Sequence, residues 1–230
     1  MIVCALTQRA FDMHGLVFRT IEAFVTDSFG SDTWSRALAQ AQIELTSFEA
    51  MLDYDADLLP KVLDSCAAVL DRPKVSILED IGTYLVTHQN HASIRRLMRF
   101  GGQSFVELVH SLDELPGRTR LAVPSLDLPE ISVREHQPHQ FTVYCRNGPR
   151  GFGFVIVGLL RAMADDYGAL AVVDHLGSKD GSDIIEIAVF DIAHAEDRGF
   201  SLAATANYLL QTEKIDEQQQ LIETQQNAID

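Results

Sequence analysis

From Phe100 to Pro129 the chain reads FGGQSFVELVHSLDELPGRTRLAVPSLDLP, and this stretch limits the possible folds most sharply. The pair Gly101-Gly102 breaks any helix that precedes it. Apolar residues then recur at Phe105, Leu108, Val109, Leu112 and Leu115, a spacing that lines one face of a helix. Ser104 is placed to cap its start, with Glu107 three residues on as in a capping box. Pro116-Gly117 is expected to end it, because proline disfavours helical geometry in the residue before it and glycine leaves a helix at little cost. Pro124 and Pro129 then stiffen an extended segment. Composition and spacing alone describe a buried helix followed by a rigid crossing loop.

The same stretch resembles the signature segment of the H-NOX (haem nitric oxide/oxygen binding) family, the gas-sensing domains of soluble guanylate cyclases and bacterial signalling proteins. Gly102, Phe105, Leu112, Asp113 and Leu115 match its pattern, as do Pro124 and Pro129 in their spacing. Met13, Gly15, Ile21 and Val25 resemble the start of the family's first helix, and Phe29-Gly30 with Trp34 its following turn. The resemblance implies a haem held by a proximal histidine. That position is Pro116 here, and proline has no nitrogen lone pair to offer iron.

Periodicity orders the remainder. Helices are predicted over residues 13–30, 33–41, 58–70, 75–89 and 94–99. Asp53, Asp55 and Asp57 read as an acidic turn capping the helix from Leu58, since the glycine and glutamate of a calcium loop do not follow. Arg95, Arg96 and Arg99 read as a solvated face, and Trp34 as a core anchor. After Pro129 the pattern shortens to strands at 130–133 and 140–145 around the turn His136 to Gln140, a helix over 152–167, and strands at 169–175 and 184–192 around Gly177 to Gly181. Helices followed by strand–strand–helix–strand–strand describe an α+β domain with an antiparallel sheet. This is the architecture the H-NOX resemblance implies, over residues 13–192. A joint is expected at 193–200 and a coiled-coil signalling helix at 201–230. Tyr208, Ile215, Ile222 and Ile229 recur every seven residues there, but Gln211, Gln218 and Gln225 weaken the seam.

Partners are narrowed by charge. A net charge of −15 lacks the cationic footprint of a nucleic-acid binder and does not favour anionic lipid. No apolar run spans a bilayer and no secretory leader is evident, so the expected location is the cytoplasm. Three scattered cysteines, Cys4, Cys66 and Cys145, read as reduced thiols. No nucleophile elbow, P-loop or zinc-protease motif is present, and no enzyme activity is expected.

The haem anchors are altered twice. Besides Pro116, the Tyr-x-Ser-x-Arg motif that the resemblance implies for the propionates reads Tyr144-Cys145-Arg146-Asn147-Gly148-Pro149-Arg150. Tyr144 matches. Arg146 stands at the serine and Gly148 at the arginine, whereas counting back from Gly151-Phe152 puts Pro149 in the arginine slot. Pro129, Tyr144, Arg146 and Arg150 are the candidate pocket residues. His110 is the fallback iron ligand, although six residues of helix, a turn of about 600°, aim it about 120° away from position 116. Three readings stay open. The pocket binds a different, apolar small molecule, with Arg146 or Arg150 answering a carboxylate. Or it is still a haem nitric oxide sensor, with an unusual ligand such as His110 or with none from the protein. Or it is filled by Phe105, Phe152 and Phe154, and the domain only dimerises or docks. The expected partners are a small-molecule ligand or an output signalling domain, with the chain as a homodimer. The cofactor is therefore none or unknown, with haem implied only by resemblance.

Overall fold

The computed structural model describes residues 12–190. The joint and coiled coil expected at 193–230 lie outside the described residues, as does Cys4. Strand β1 (Asp12–His14) leads into helix α1 (Gly15–Phe29), followed by α2 (Ser31–Gln40), β2 (Asp53–Asp55), α3 (Leu58–Leu70), α4 (Lys74–Thr87) and α5 (Ala92–Arg99). Then come α6 (Phe105–His110), α7 (Leu115–Ala122), β3 (Glu130–Gln137), β4 (Gln140–Arg146), α8 (Phe152–Tyr167), β5 (Leu170–Lys179) and β6 (Ser182–Phe190). The α+β expectation is met by a four-stranded antiparallel sheet in the order β3-β4-β6-β5.

Two apolar cores result. The first packs α1 to α4 around Phe18, Phe24, Trp34, Phe48 and Ile77. The second packs one face of the sheet, including Phe141, Val143, Ile185 and Ile187, against α6 and α8 through Phe105, Leu108, Leu160 and Met163. Period-two alternation shapes β4: Phe141, Val143 and Cys145 face the core, while on the other face Gln140 and Arg146 are exposed and Thr142 is covered.

The cores meet where α4 crosses α8. A Cβ on Gly82 would sit 2.0 Å from the Val155 carbonyl oxygen, and one on Gly158 would sit 1.8 Å from that of Glu79. Only hydrogen fits at either position, so the helices approach to backbone contact. Arg161 on α8 fastens the crossing with an ion pair to Glu79 at 2.9 Å.

Several local expectations need correction. The helix of the signature stretch stops at His110, a 3-10 turn covers Leu112–Glu114, and Pro116 lies in the first turn of α7 rather than ending a helix. Proline is tolerated there because first-turn N–H groups have no intrahelical partner. Ser104 does cap α6, accepting from the Glu107 N–H at 3.2 Å, but the Glu107 carboxylate reaches the N–H of Gln103. Asp53 and Asp55 belong to a strand paired with β1. Asp57 makes no side-chain cap, and its own N–H donates to Asp55 at 2.9 Å. The arginine face is not merely solvated. Arg95 and Arg99 both hold Asp166, and Arg99 lies 4.1 Å over the Tyr167 ring. Burial raises the Asp166 pKa, but the hydrogen bonds and charges of the two arginines outweigh it and leave the carboxyl below its ordinary value. The last hairpin turns on Asp180-Gly181 alone, so β5 runs through Gly177 to Lys179.

Gly158→Ala should lower folding stability by about 3 kcal/mol or more, the upper end of overpacking costs, because backbone rather than a flexible side chain meets the new methyl. Gly117→Ala, on the exposed side of α7 with nothing within 4 Å, should gain roughly 0.5–1 kcal/mol. Urea unfolding of both variants checks the pair.

Candidate functional site

Four segments converge at one end of the sheet: the start of β3, the loop from β4 to α8, the first turn of α8, and the β5–β6 turn. They enclose a cleft of about 380 Å³ lined by Pro129, Cys145, Pro149, Arg150, Phe152 and Asp183, among others. The volume falls within the usual range for small-molecule sites, roughly 300–1,000 Å³. Of the sequence-predicted residues, the structure brings Pro129 and Arg150 together here. Tyr144 and Arg146 do not line the cleft, because alternation along β4 sends them to the face opposite Cys145.

Sequence reasoning missed Asp183. Its side chain is 13% exposed and reaches from β6 to the start of α8, where Oδ2 accepts the Gly153 N–H at 2.9 Å. That N–H has no partner within the helix, so the carboxylate both satisfies it and meets the positive end of the helix dipole. Gly153 makes the approach possible, since a Cβ there would lie 2.7 Å from the Asp183 Cβ and 2.8 Å from the His175 ring. Ser178 donates to Oδ1, and His175 Nε2 lies 3.4 Å from the same oxygen. The spacing from Ser178 to Asp183 across a two-residue turn was the available signal.

Ser178, His175 and Asp183 are the residue types of a hydrolytic triad, but their connections differ. The His175 Nδ1 accepts the Gly177 N–H at 3.1 Å, so its proton sits on Nε2 facing Asp183. No ring nitrogen is left to take a proton from Ser178. Phe154 stacks on the imidazole at 4.0 Å and holds it there. Burial first, then the charge of Asp183, pushes the Cys145 thiol up to about 12, so it is not a nucleophile near neutral pH. The arrangement is suited to binding and not to proton transfer.

The haem implied by resemblance does not fit this donor set. Pro116 lacks a ligand atom. His110 is half-exposed on α6, with Nε2 3.3 Å from Glu135 and its edge on Phe141 at 5.0 Å. Beside it Leu112, Leu115, Ile131 and Phe141 are buried together in the second core. Of the residues the resemblance assigns to the propionates, Tyr144 and Arg146 lie away from the cleft and only Arg150 lines it. Among the described residues, no group of three His, Cys, Asp or Glu side chains is arranged to hold a metal ion.

Other histidines lie elsewhere. His14 caps α1, accepting from Leu16 at 3.2 Å through Nδ1, and its Nε2 reaches Ser125 at 2.9 Å. His136 bonds Thr142 at 2.8 Å. His88 and His91 pack on Tyr84, whose hydroxyl donates to Asp27 at 2.6 Å. A second groove follows the edge of β5, but Arg161 in it is already committed to Glu79 and Asp174.

A family model described as Haem-NO-binding matches residues 14–175. Soluble guanylate cyclase 89Da of Drosophila melanogaster is 17% identical over 160 residues, 70% of this chain and 24% of that protein. The chain thus spans about a quarter of that relative. An Fe(II) unliganded H-NOX protein from K. algicida superposes with a TM-score of 0.68 at 17% identity, covering 78% of this chain and 97% of the other. An H-NOX protein from S. oneidensis in the Fe(II)NO state gives 0.65 at 18% identity, covering 78% and 100%. At these identities the likeness shows the fold.

His91 provides a pH test. Burial first, then the neighbouring His88, lowers its pKa against a weaker opposite pull from Asp27. The unfolded chain therefore binds the proton more readily. His91 costs no stability above the ordinary histidine value of about 6.5, and stability should fall as pH drops through that value. Melting temperatures from pH 7.5 to pH 5 should decline less steeply in His91→Gln than in the parent.

Proposed function

This chain belongs to the Haem-NO-binding family of sensor domains, and on that premise we propose that it senses a small organic ligand in place of a gas on haem iron. The observation that carries this reading is the cleft, where Arg150 meets an apolar wall of Pro129, Pro149 and Phe152, while the family's ligand position is a proline in the first turn of α7. Arg150 answers a carboxylate on the ligand, and the apolar wall takes its body. Catalysis is no part of the role.

The start of α8 borders the cleft, so a ligand there bears directly on that helix. Helix α8 carries the displacement into α4 at the Gly82–Gly158 crossing, where close packing leaves no slack. A heptad helix over 201–230 then passes the change to an output module in a cytoplasmic homodimer. Its glutamines at alternate seam positions keep that pairing marginal, as a switch requires. Relationship to a guanylate cyclase supports a signalling output without naming it. Among the described residues no helix is long and apolar enough to cross a membrane.

Phe105, 2% exposed in the second core, favours a second reading in which the domain only docks or dimerises. Phe152 and Phe154 do not support it, because one lines the cleft and the other stacks on His175.

The test is an absorption spectrum of protein expressed with a haem precursor, before and after nitric oxide. No Soret band responsive to nitric oxide is expected. A strong responsive band overturns the proposal, and its loss in His110→Ala would identify the ligand.

A further inference from the structure

Arg150 and Asp183 line the same cleft with opposite charges, yet they form no ion pair with each other. Arg150 has no acidic partner among the described residues. Asp183 is the more telling of the two, because a carboxylate this buried is ordinarily matched by a cation. Its hydrogen-bond partners are the Gly153 N–H and the Ser178 hydroxyl, while His175 Nε2 lies 3.4 Å away without bonding to it. The His175 Nδ1 accepts from the Gly177 N–H, so only Nε2 of that ring faces Asp183. A carboxylate oxygen has room for more than one donor, so Asp183 keeps acceptor capacity on its cleft side.

We propose that the cleft takes a zwitterion: a free amino acid whose carboxylate pairs with Arg150, whose ammonium group pairs with Asp183, and whose side chain rests on Phe152. This deepens the small-ligand reading of the cleft and rests on it. One molecule then completes both charges, and neither a simple carboxylate nor a simple amine does so. Specificity follows from the protein's own charges, because a carboxylate without an ammonium group leaves Asp183 unmatched and adds a second negative charge beside it.

The experiment screens the twenty common L-amino acids against the full chain by thermal shift. The tightest is then compared by calorimetry with its deaminated acid and its decarboxylated amine. Each charge-assisted contact removed should weaken binding by about tenfold or more. Arg150→Gln should bring the amino acid to the level of its amine, and Asp183→Asn to the level of its acid. Asparagine retains an acceptor for the Gly153 N–H. Arg150 is exposed, so its variant keeps the fold whatever Asp183→Asn does. If the deaminated acid binds as tightly as the amino acid and still depends on Arg150, the zwitterion proposal fails while the cleft stands as a carboxylate pocket. If no amino acid and no analogue binds, or binding ignores Arg150, both fail.

Discussion

The crossing of α4 and α8 is the contact on which the structure depends. Each helix belongs to a different core, α4 to the helical one and α8 to the one beneath the sheet. A glycine on each side faces the other helix's carbonyl. That closeness forfeits side-chain burial at two positions, but it brings two rows of neighbouring side chains into contact along the helices. Arg161 reinforces the joint by reaching both Glu79 on α4 and the Val173 carbonyl on β5. At the far end of α8, Asp166 and Tyr167 hold the α5 end and the glycine pair, with the Tyr167 hydroxyl donating to the Gly102 carbonyl at 2.7 Å. Helix α8 is therefore tied to both cores along its length, and the cleft lies at its Asp183-capped beginning.

The chemistry of that beginning follows from unpartnered helix N–H groups. A helix start seeks an acceptor, and here a strand thirty residues away supplies one in Asp183. The same carboxylate then faces the cleft, so a structural need and the pocket's electrostatics share one residue. Ser178 holds it from the next strand, with the His175 ring alongside. Bonds from the Gly153 N–H and the Ser178 hydroxyl fix the carboxylate, so the cluster is a fixed acceptor.

Much of this architecture was legible from local pattern. Helices over 58–70 and 152–167 appear at the predicted bounds, because their apolar spacing, their flanking breakers and their burial agree. Pro116 misled because a proline can close one helix or open the next, and the choice lies in where α7 begins. The arginines of α5 read as a solvated face because their partner, Asp166, lies about seventy residues on. The cleft was half legible: Pro129 and Arg150 line it, while Tyr144 and Arg146 share the other side of β4. A loop with one extra residue made the register after Tyr144 ambiguous, and a single step in a strand exchanges its faces.

By itself the sequence determined the main helices, the antiparallel sheet of four strands after Pro129, the family, and the absence of an imidazole at position 116. Those rest on covalent identity and on periodicities within a few turns of chain. Tertiary structure alone decided that Arg150 and not Arg146 lines the cleft, that Asp183 caps α8, that His14 reaches Ser125, and that two glycines bring α4 against α8. Each of these depends on a distance between residues far apart in sequence, Gly82 lying against the Val155 carbonyl and Gly158 against that of Glu79. Such distances are set by how whole elements pack, and no local pattern carries that information.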